Sequence, residues 1–199
     1  IDLLGSPNLA SFDLSSLKYI GGGGAAMPQA VAQRLFDQYG LRFCEGYGLT
    51  ETAAPSHSNP HDQPKQQCLG IPFMGVDSRI IDPETCAELP QGETGEIVSH
   101  GPQIFEGYWQ QPEATKRVFI EIEGKRFFRT GDLGRYNERG ELKLTGRAKE
   151  LFKTAKGKYV APAPIENQLG QCPLVETAVV SGVGMRAPYA LIVLAEDVR

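Results

Sequence analysis

The sequence predicts a mixed α/β-plus-β fold: the end of an α/β layer, then a small distorted β-barrel, then the start of a small α+β domain. Three observations predict it. A strand–helix–strand pattern occupies residues 17–48, short apolar runs separated by turns fill residues 68–146, and the character changes again at a charged segment near Lys149. The expected divisions are therefore 1–67, 68–148 and 149–199.

In the first part, residues 17–20 (LKYI) read as a short buried strand that ends in Gly21-Gly22-Gly23-Gly24. Residues 28–39 (PQAVAQRLFDQY) place Val31, Leu35 and Phe36 at helical spacing, with Pro28 suited to a first turn and Gly40 to a stop. Residues 41–45 (LRFCE) read as a second strand, followed by a turn at Gly46-Tyr47-Gly48. Strand, helix and strand within this length make a βαβ unit.

In the second part, the runs 76–81 (VDSRII), 95–98 (GEIV), 126–129 (RFFR) and 141–145 (ELKLT) are separated by Asp-Pro, Pro-Gln-Gly, Glu-Gly and Arg-Gly turns. That spacing predicts hairpins in a small barrel or distorted sheet, with one short helix at 112–118 (PEATKRV). Beyond Lys149 a hairpin, a helix starting near Pro164 and strands at 175–181 and 189–195 are expected. That closing stretch is small for a core of its own.

Composition bounds the function. Hydrophobic residues make up 41% of 199, enough to bury a core, and 23 Gly and 14 Pro are spread throughout, as in many short elements joined by turns. A net charge of -4 argues against a general nucleic-acid binder. No apolar run approaches the roughly 18 residues of a membrane-spanning helix. The chain opens on Ile1 in a segment that reads as mid-domain, so an internal piece of a longer protein is expected. Cys44, Cys68, Cys86 and Cys172 form no C-x-x-C pair, so reduced thiols in the cytoplasm are expected. His57 and His61 are four apart, but Asn59 and Pro60 between them argue against a helical metal pair.

Four clusters carry candidate chemistry, and each has a plainer alternative. Gly21-Gly22-Gly23-Gly24-Ala25-Ala26, between strand and helix, lets a flat ring or a phosphate approach the backbone; the alternative is a tight turn. It is not G-x-G-x-x-G, and no Walker-type loop occurs. Glu45-Gly46-Tyr47-Gly48-Leu49-Thr50-Glu51-Thr52 follows the second strand, where open α/β sheets bind ligands. There Tyr47 can face a purine, Thr50 can bond a phosphate and Glu51 can hold Mg²⁺; the alternative is a helix start capped by Thr50. Arg129-Thr130-Gly131-Asp132 offers a carboxylate for two ribose hydroxyls, or is a hairpin turn. The run from Gly146 through Arg147, Lys149, Lys153 and Gly157 to Pro162 is a basic hairpin, which could equally be a solvated surface.

In order, these stretches resemble the adenylate-forming superfamily of acyl-CoA synthetases, luciferases and peptide-synthetase adenylation domains. The resemblance is carried by GYGLTET, by GEIVSHGPQIFEGYWQQPEAT, by FFRTGDLGRYNERGELKLTGRAKE and by the hairpin followed by Pro164-Ile165-Glu166-Asn167, and it covers nearly the whole chain. It implies that Gly24, Ala25 and Ala26 line the adenine side, that Tyr47 beside Gly48 stacks on adenine, and that Thr50 meets the α-phosphate. It implies further that Glu51 binds Mg²⁺, that Asp132 holds the ribose with help from Arg147, and that Lys149 is a hinge. The hairpin with Lys153 and Gly157 would help form the pantetheine channel in the thioester-forming state. The implied reaction uses ATP, a carboxylic acid and CoA, releasing AMP, with peripheral membrane contact through a lipid substrate as one option. The hairpin looks most like long-chain fatty acyl-CoA synthetases, with aryl or medium-chain acids next.

The resemblance also marks what is missing. The family's Ser/Thr/Gly-rich phosphate loop and its C-terminal catalytic lysine have no match here, so this chain alone is expected to be inactive. Two rivals stand beside the ligase reading: an adenylating enzyme that loads a carrier protein, and a non-catalytic module docking a partner through the basic hairpin.

Overall fold

The computed structural model describes residues 2–6, 8–24, 27–53 and 55–195. In chain order the elements are α1 (Asp2–Gly5), β1 (Tyr19–Gly22), α2 (Gln29–Tyr39), β2 (Arg42–Tyr47), β3 (His57–Ser58), β4 (Ile71–Pro72), β5 (Asp77–Ile81) and β6 (Gly95–His100). They continue with α3 (Pro112–Arg117), β7 (Phe119–Ile122), β8 (Lys125–Tyr136), β9 (Leu142–Arg147), β10 (Phe152–Lys153), β11 (Tyr159–Val160), α4 (Pro162–Leu169), β12 (Val175–Ser181) and β13 (Tyr189–Leu194). Single 3-10 turns occupy Leu9–Ser11, Thr50–Thr52 and Ala148–Glu150. The fold is mixed α/β and mostly sheet, as expected from the sequence. One sheet runs β1-β2-β3-β4, and the turn-punctuated region forms a five-stranded sheet, β5-β6-β8-β7 with β9 on β8.

Two units can be described. The first comprises Ile1–Arg79, Val98–Thr130 and Tyr136–Lys143, the second Ile80–Ile97, Gly131–Arg135 and Leu144–Arg199.

The first unit holds the expected βαβ element. β1 and β2 pair in parallel, with Tyr19 opposite Arg42 and Gly22 opposite Glu45, and α2 is the crossover. Gly40 ends α2 in the left-handed region at φ 67°, its N–H bonded to Phe36 O at 2.8 Å. Pro28 stands just before the first turn rather than in it. Leu4, Leu9 and Leu35 form a core against which Leu14, Ile20, Val31, Tyr39 and Phe43 pack.

One expectation needs correcting. Phe36 does not join the buried face; it is 43% exposed, with the Arg42 guanidinium 5.7 Å over its ring, and Ala32 is buried instead. Each helical residue advances about 100°, so a face centred on Leu35 takes in Ala32 and Tyr39 and turns Phe36 toward solvent.

In the same unit β7 and β8 form a hairpin with Phe119 opposite Phe128 and Ile122 opposite Lys125, closed by Glu123 and Gly124 at φ 51° and 74°. The rings of Phe105, Phe119 and Phe128 cluster, with Phe105 5.5 Å from Phe119 and 5.3 Å from Phe128. The expected RFFR strand is the opening of the much longer β8.

In the second unit α4 begins at Pro162, two residues before the expected start. Glu166 Oε1 accepts a hydrogen bond from Val180 N–H at 2.8 Å, which ties α4 to β12. β12 and β13 are an antiparallel pair with a register shift between Val175 and Thr177.

Candidate functional site

Parallel pairing sets the C-terminal ends of β1 and β2 side by side, with Gly21 opposite Cys44 and Gly22 opposite Glu45. Past those ends the chain departs through Gly23-Gly24 on one side and Gly48-Leu49-Thr50 on the other. With Tyr47, Ala53, Pro55, Ser58 and Phe73 these line a cleft of about 800 Å³. That is the size of a small-molecule site, at the sheet edge where α/β folds hold ligands. The glycines are required by space and conformation. A Cβ on Gly23 would lie 2.7 Å from Gly46 O, and Gly24 has φ 84°.

Tyr47 ends β2 and is only 6% exposed, yet lines the cleft. Behind it runs a buried polar chain. Tyr47 O accepts from Ser56 N–H at 2.6 Å and from Ser56 Oγ at 3.2 Å. Ser56 Oγ lies 2.9 Å from His57 Nδ1, and His57 Nε2 lies 2.9 Å from Tyr136 Oη. Burial pushes His57 down to about 4, so the ring is neutral at neutral pH and serves as a brace. His61 lies against Tyr19, with ring centroids 4.3 Å apart and the rings tilted by 36°.

Glu45 is a second brace that sequence reasoning quoted without a role. It is buried, and burial raises its carboxyl above the usual range against the hydrogen bonds it accepts. Gln67 N–H donates to Glu45 Oε1 at 3.0 Å, and Gln67 Nε2 donates to Met27 O at 2.9 Å. The segment that follows the glycine tract is thereby fastened to β2. Ala25 and Ala26 lie outside the described residues.

Thr50 does not cap a helix. Leu49 precedes the 3-10 turn, and Thr52 supplies the local bonds: its Oγ1 accepts from Leu49 N–H and donates to Leu49 O, each at 2.9 Å. Thr50 is left exposed on the cleft wall. Glu51 beside it accepts a hydrogen bond from Tyr108 Oη to Oε1 at 2.9 Å, and Glu51 O accepts from Phe105 N–H at 2.9 Å. Burial first, and then Glu51, raises the Tyr108 phenol above its ordinary value.

The donor set fits Mg²⁺. Among the described residues no three carboxylate, histidine or cysteine side chains gather into a protein-only metal site. A single carboxylate beside an exposed hydroxyl suits an ion that draws most of its ligands from outside the protein.

The second unit holds the other predicted residues. Asp132 is 2% exposed, and its Oδ1 lies 3.1 Å from Nε of Arg147, a residue whose side chain is 58% exposed. The hairpin-turn alternative for Arg129–Asp132 does not hold, because β8 runs straight through it. Gly131 meets the local twist at φ 72°, and its N–H donates to the buried Glu96 Oε1 at 3.2 Å. Lys149 is exposed in the Ala148–Glu150 turn. Lys153 on β10 sets its ammonium 4.8 Å over the Tyr159 ring, and Gly157 turns the hairpin at φ 76° with its N–H on Thr154 O at 2.9 Å.

The structure thus brings Gly24, Tyr47, Gly48 and Thr50 to one cleft with Glu51 adjoining, pairs Asp132 with Arg147, and puts Lys153 and Gly157 on one hairpin.

Residues 2–109 match the AMP-binding enzyme family, and residues 150–199 match the AMP-binding enzyme C-terminal domain. A long-chain-fatty-acid–CoA ligase from Bacillus subtilis is 35% identical over 184 residues, covering 92% of this chain and 32% of that protein. A feruloyl-CoA synthase from Amycolatopsis is 37% identical over 180 residues, covering 89% of this chain and 35% of that protein. ATP-bound MatB from Rhodopseudomonas palustris superposes with a TM-score of 0.82 at 35% identity, covering 97% of this chain and 38% of that one. The chain spans about a third of the length of the curated relatives it matches. From residue pattern, fold and similarity alike, the chain belongs to the AMP-binding, adenylate-forming enzyme family.

Proposed function

We propose that this chain is part of an ATP-dependent, AMP-forming acyl-CoA ligase acting on fatty acids. The observation that carries the reading is the cleft at the ends of β1 and β2, walled by Gly21–Gly24 and by Tyr47 to Thr50. In this reading Gly24, Ala25 and Ala26 border the adenine, and Tyr47 and Gly48 meet its face. Asp132 accepts from the ribose hydroxyls, with Arg147 setting its carboxylate. Thr50 donates to the α-phosphate as the carboxylate substrate attacks phosphorus, pyrophosphate leaves, and acyl-adenylate forms; the CoA thiol then displaces AMP. Mg²⁺ held through Glu51 would neutralise charge building on the phosphates. Lys149 serves as the hinge between the two half-reactions, and the Lys153–Gly157 hairpin flanks the thiol channel. A reducing cytoplasm suits the four free cysteines.

The test is carboxylate-dependent ATP–pyrophosphate exchange by the full-length protein, followed by thioester formation with CoA or with a holo-carrier protein. Transfer to the carrier alone would replace the CoA reading. The 199-residue chain by itself is expected to give no exchange; measurable exchange from it would overturn that part. Aryl acids are the second reading, favoured by the identity to the feruloyl-CoA synthase. A panel of fatty and hydroxycinnamic acids separates the two by kcat/KM.

A further inference from the structure

We propose that Tyr108 is a positioning residue for Glu51, holding its carboxylate so that the free oxygen faces the Mg²⁺–phosphate site. The inference rests on the adenylate-forming reading above. It comes from a grip that spans 57 residues of sequence. One loop holds Glu51 twice: Phe105 N–H donates to its backbone carbonyl at 2.9 Å, and Tyr108 Oη donates to its Oε1 at 2.9 Å. A carboxylate on a three-residue 3-10 turn has few local restraints, so without this second bond its oxygens would sample several orientations.

The loop itself is firmly built. Tyr108 N–H donates to Thr115 Oγ1 at 2.9 Å, and Thr115 Oγ1 donates in turn to Gln111 O at 3.0 Å. The Phe105 ring meets the Tyr108 ring edge-on at 4.9 Å. A Cβ on Gly107 would come within 2.5 Å of Thr115 Cγ2, so the chain passes close to α3 where only glycine fits.

The choice of donor is chemically apt. A phenol orients one carboxylate oxygen yet carries no charge, so Glu51 keeps its negative charge for a cation. A lysine or arginine in the same place would compete with the metal.

The test compares the full-length wild type with Tyr108→Phe, which keeps the ring and its packing. Mn²⁺ binding is read from the free-ion electron paramagnetic resonance signal in the presence of α,β-methylene-ATP. The Mn²⁺ Kd should rise about 10-fold, while the affinity for the analogue without metal stays the same. In pyrophosphate exchange, the Mg²⁺ concentration for half-maximal rate should rise by more than kcat falls. In a Glu51→Gln background, Tyr108→Phe should add no further loss, since the two residues act through one carboxylate. Equal Mn²⁺ affinity in wild type and Tyr108→Phe overturns the inference and leaves the ligase reading standing. So does a loss of metal-free analogue binding, which would make the tyrosine a support of the pocket as a whole. A wild type that binds neither analogue nor Mn²⁺ overturns the adenylate-forming reading, and this inference with it.

Discussion

The glycine wall at the ends of β1 and β2 and the Asp132–Arg147 pair, each proposed above to meet the nucleotide, are made of opposite materials. The wall shows backbone. Glycines and the buried Tyr47 make most of it, with Thr50 exposed at one end, and what stands behind it is a neutral hydrogen-bonded chain through Ser56, His57 and Tyr136. The pair shows charge: a carboxylate sunk in the protein and steadied by an exposed guanidinium. The wall should therefore fail when atoms are added, and the pair when they are taken away.

The largest expected effect tests the wall directly. Gly23→Val would push a Cβ against Gly46 O, and overpacking against backbone should destabilise the fold by about 3 kcal/mol. Urea unfolding measures it, and a wild-type midpoint would break the contrast. Next comes the brace behind the wall. The buried His57 ring titrates at about 4, against 6.5 in the unfolded chain. Between those values the unfolded chain takes up a proton that the folded one refuses, so stability falls as pH is lowered from 6.5 toward 4, by about 3 kcal/mol in all. His57→Gln should flatten the pH profile in that window, as urea melts at pH 7 and pH 4.5 would report. Arg147→Ala probes the pair. Its guanidinium is largely in solvent, so losing the ion pair should cost only about 1 kcal/mol of stability. A cost several-fold larger would mean that Asp132 depends on Arg147 as a buried pair does. The smallest effect is Thr50→Ala, which should leave stability within about 0.5 kcal/mol because the hydroxyl is exposed and Thr52 makes the local bonds. Any fall in pyrophosphate exchange by that variant then belongs to chemistry, not to folding.

The two regions were also unequally legible. The wall lies between elements that are largely written locally: Gly40 stops α2, and the runs either side of it pair as parallel strands, though β1 starts two residues later than expected and is mostly exposed rather than buried, and β2 continues through Gly46 and Tyr47, which read as a turn. β12 occupies residues 175–181, the span expected from the sequence. What could not be read depends on distant partners. Phe36 leaves the buried face because the helix rotates to seat Leu35 and Ala32. Arg129–Asp132 looks like a turn in sequence, but β8 absorbs it by giving Gly131 a positive φ and bonding its N–H to Glu96, 35 residues earlier. Thr50 reads as a cap in the sequence, but in the folded turn it is the Thr52 hydroxyl that bonds Leu49. The Glu51–Tyr108 bond leaves no periodicity at all, because it joins a turn and a loop that neighbour each other only once folded.

The chain has one tryptophan, Trp109, and its indole stands 86% open to water directly after Tyr108. Its emission therefore comes from a single lamp, hung one residue from the phenol that touches Glu51. Collisional quenching by iodide gives an optical gauge of that loop without any label, and any event that shields or tilts the ring changes one signal rather than a blend.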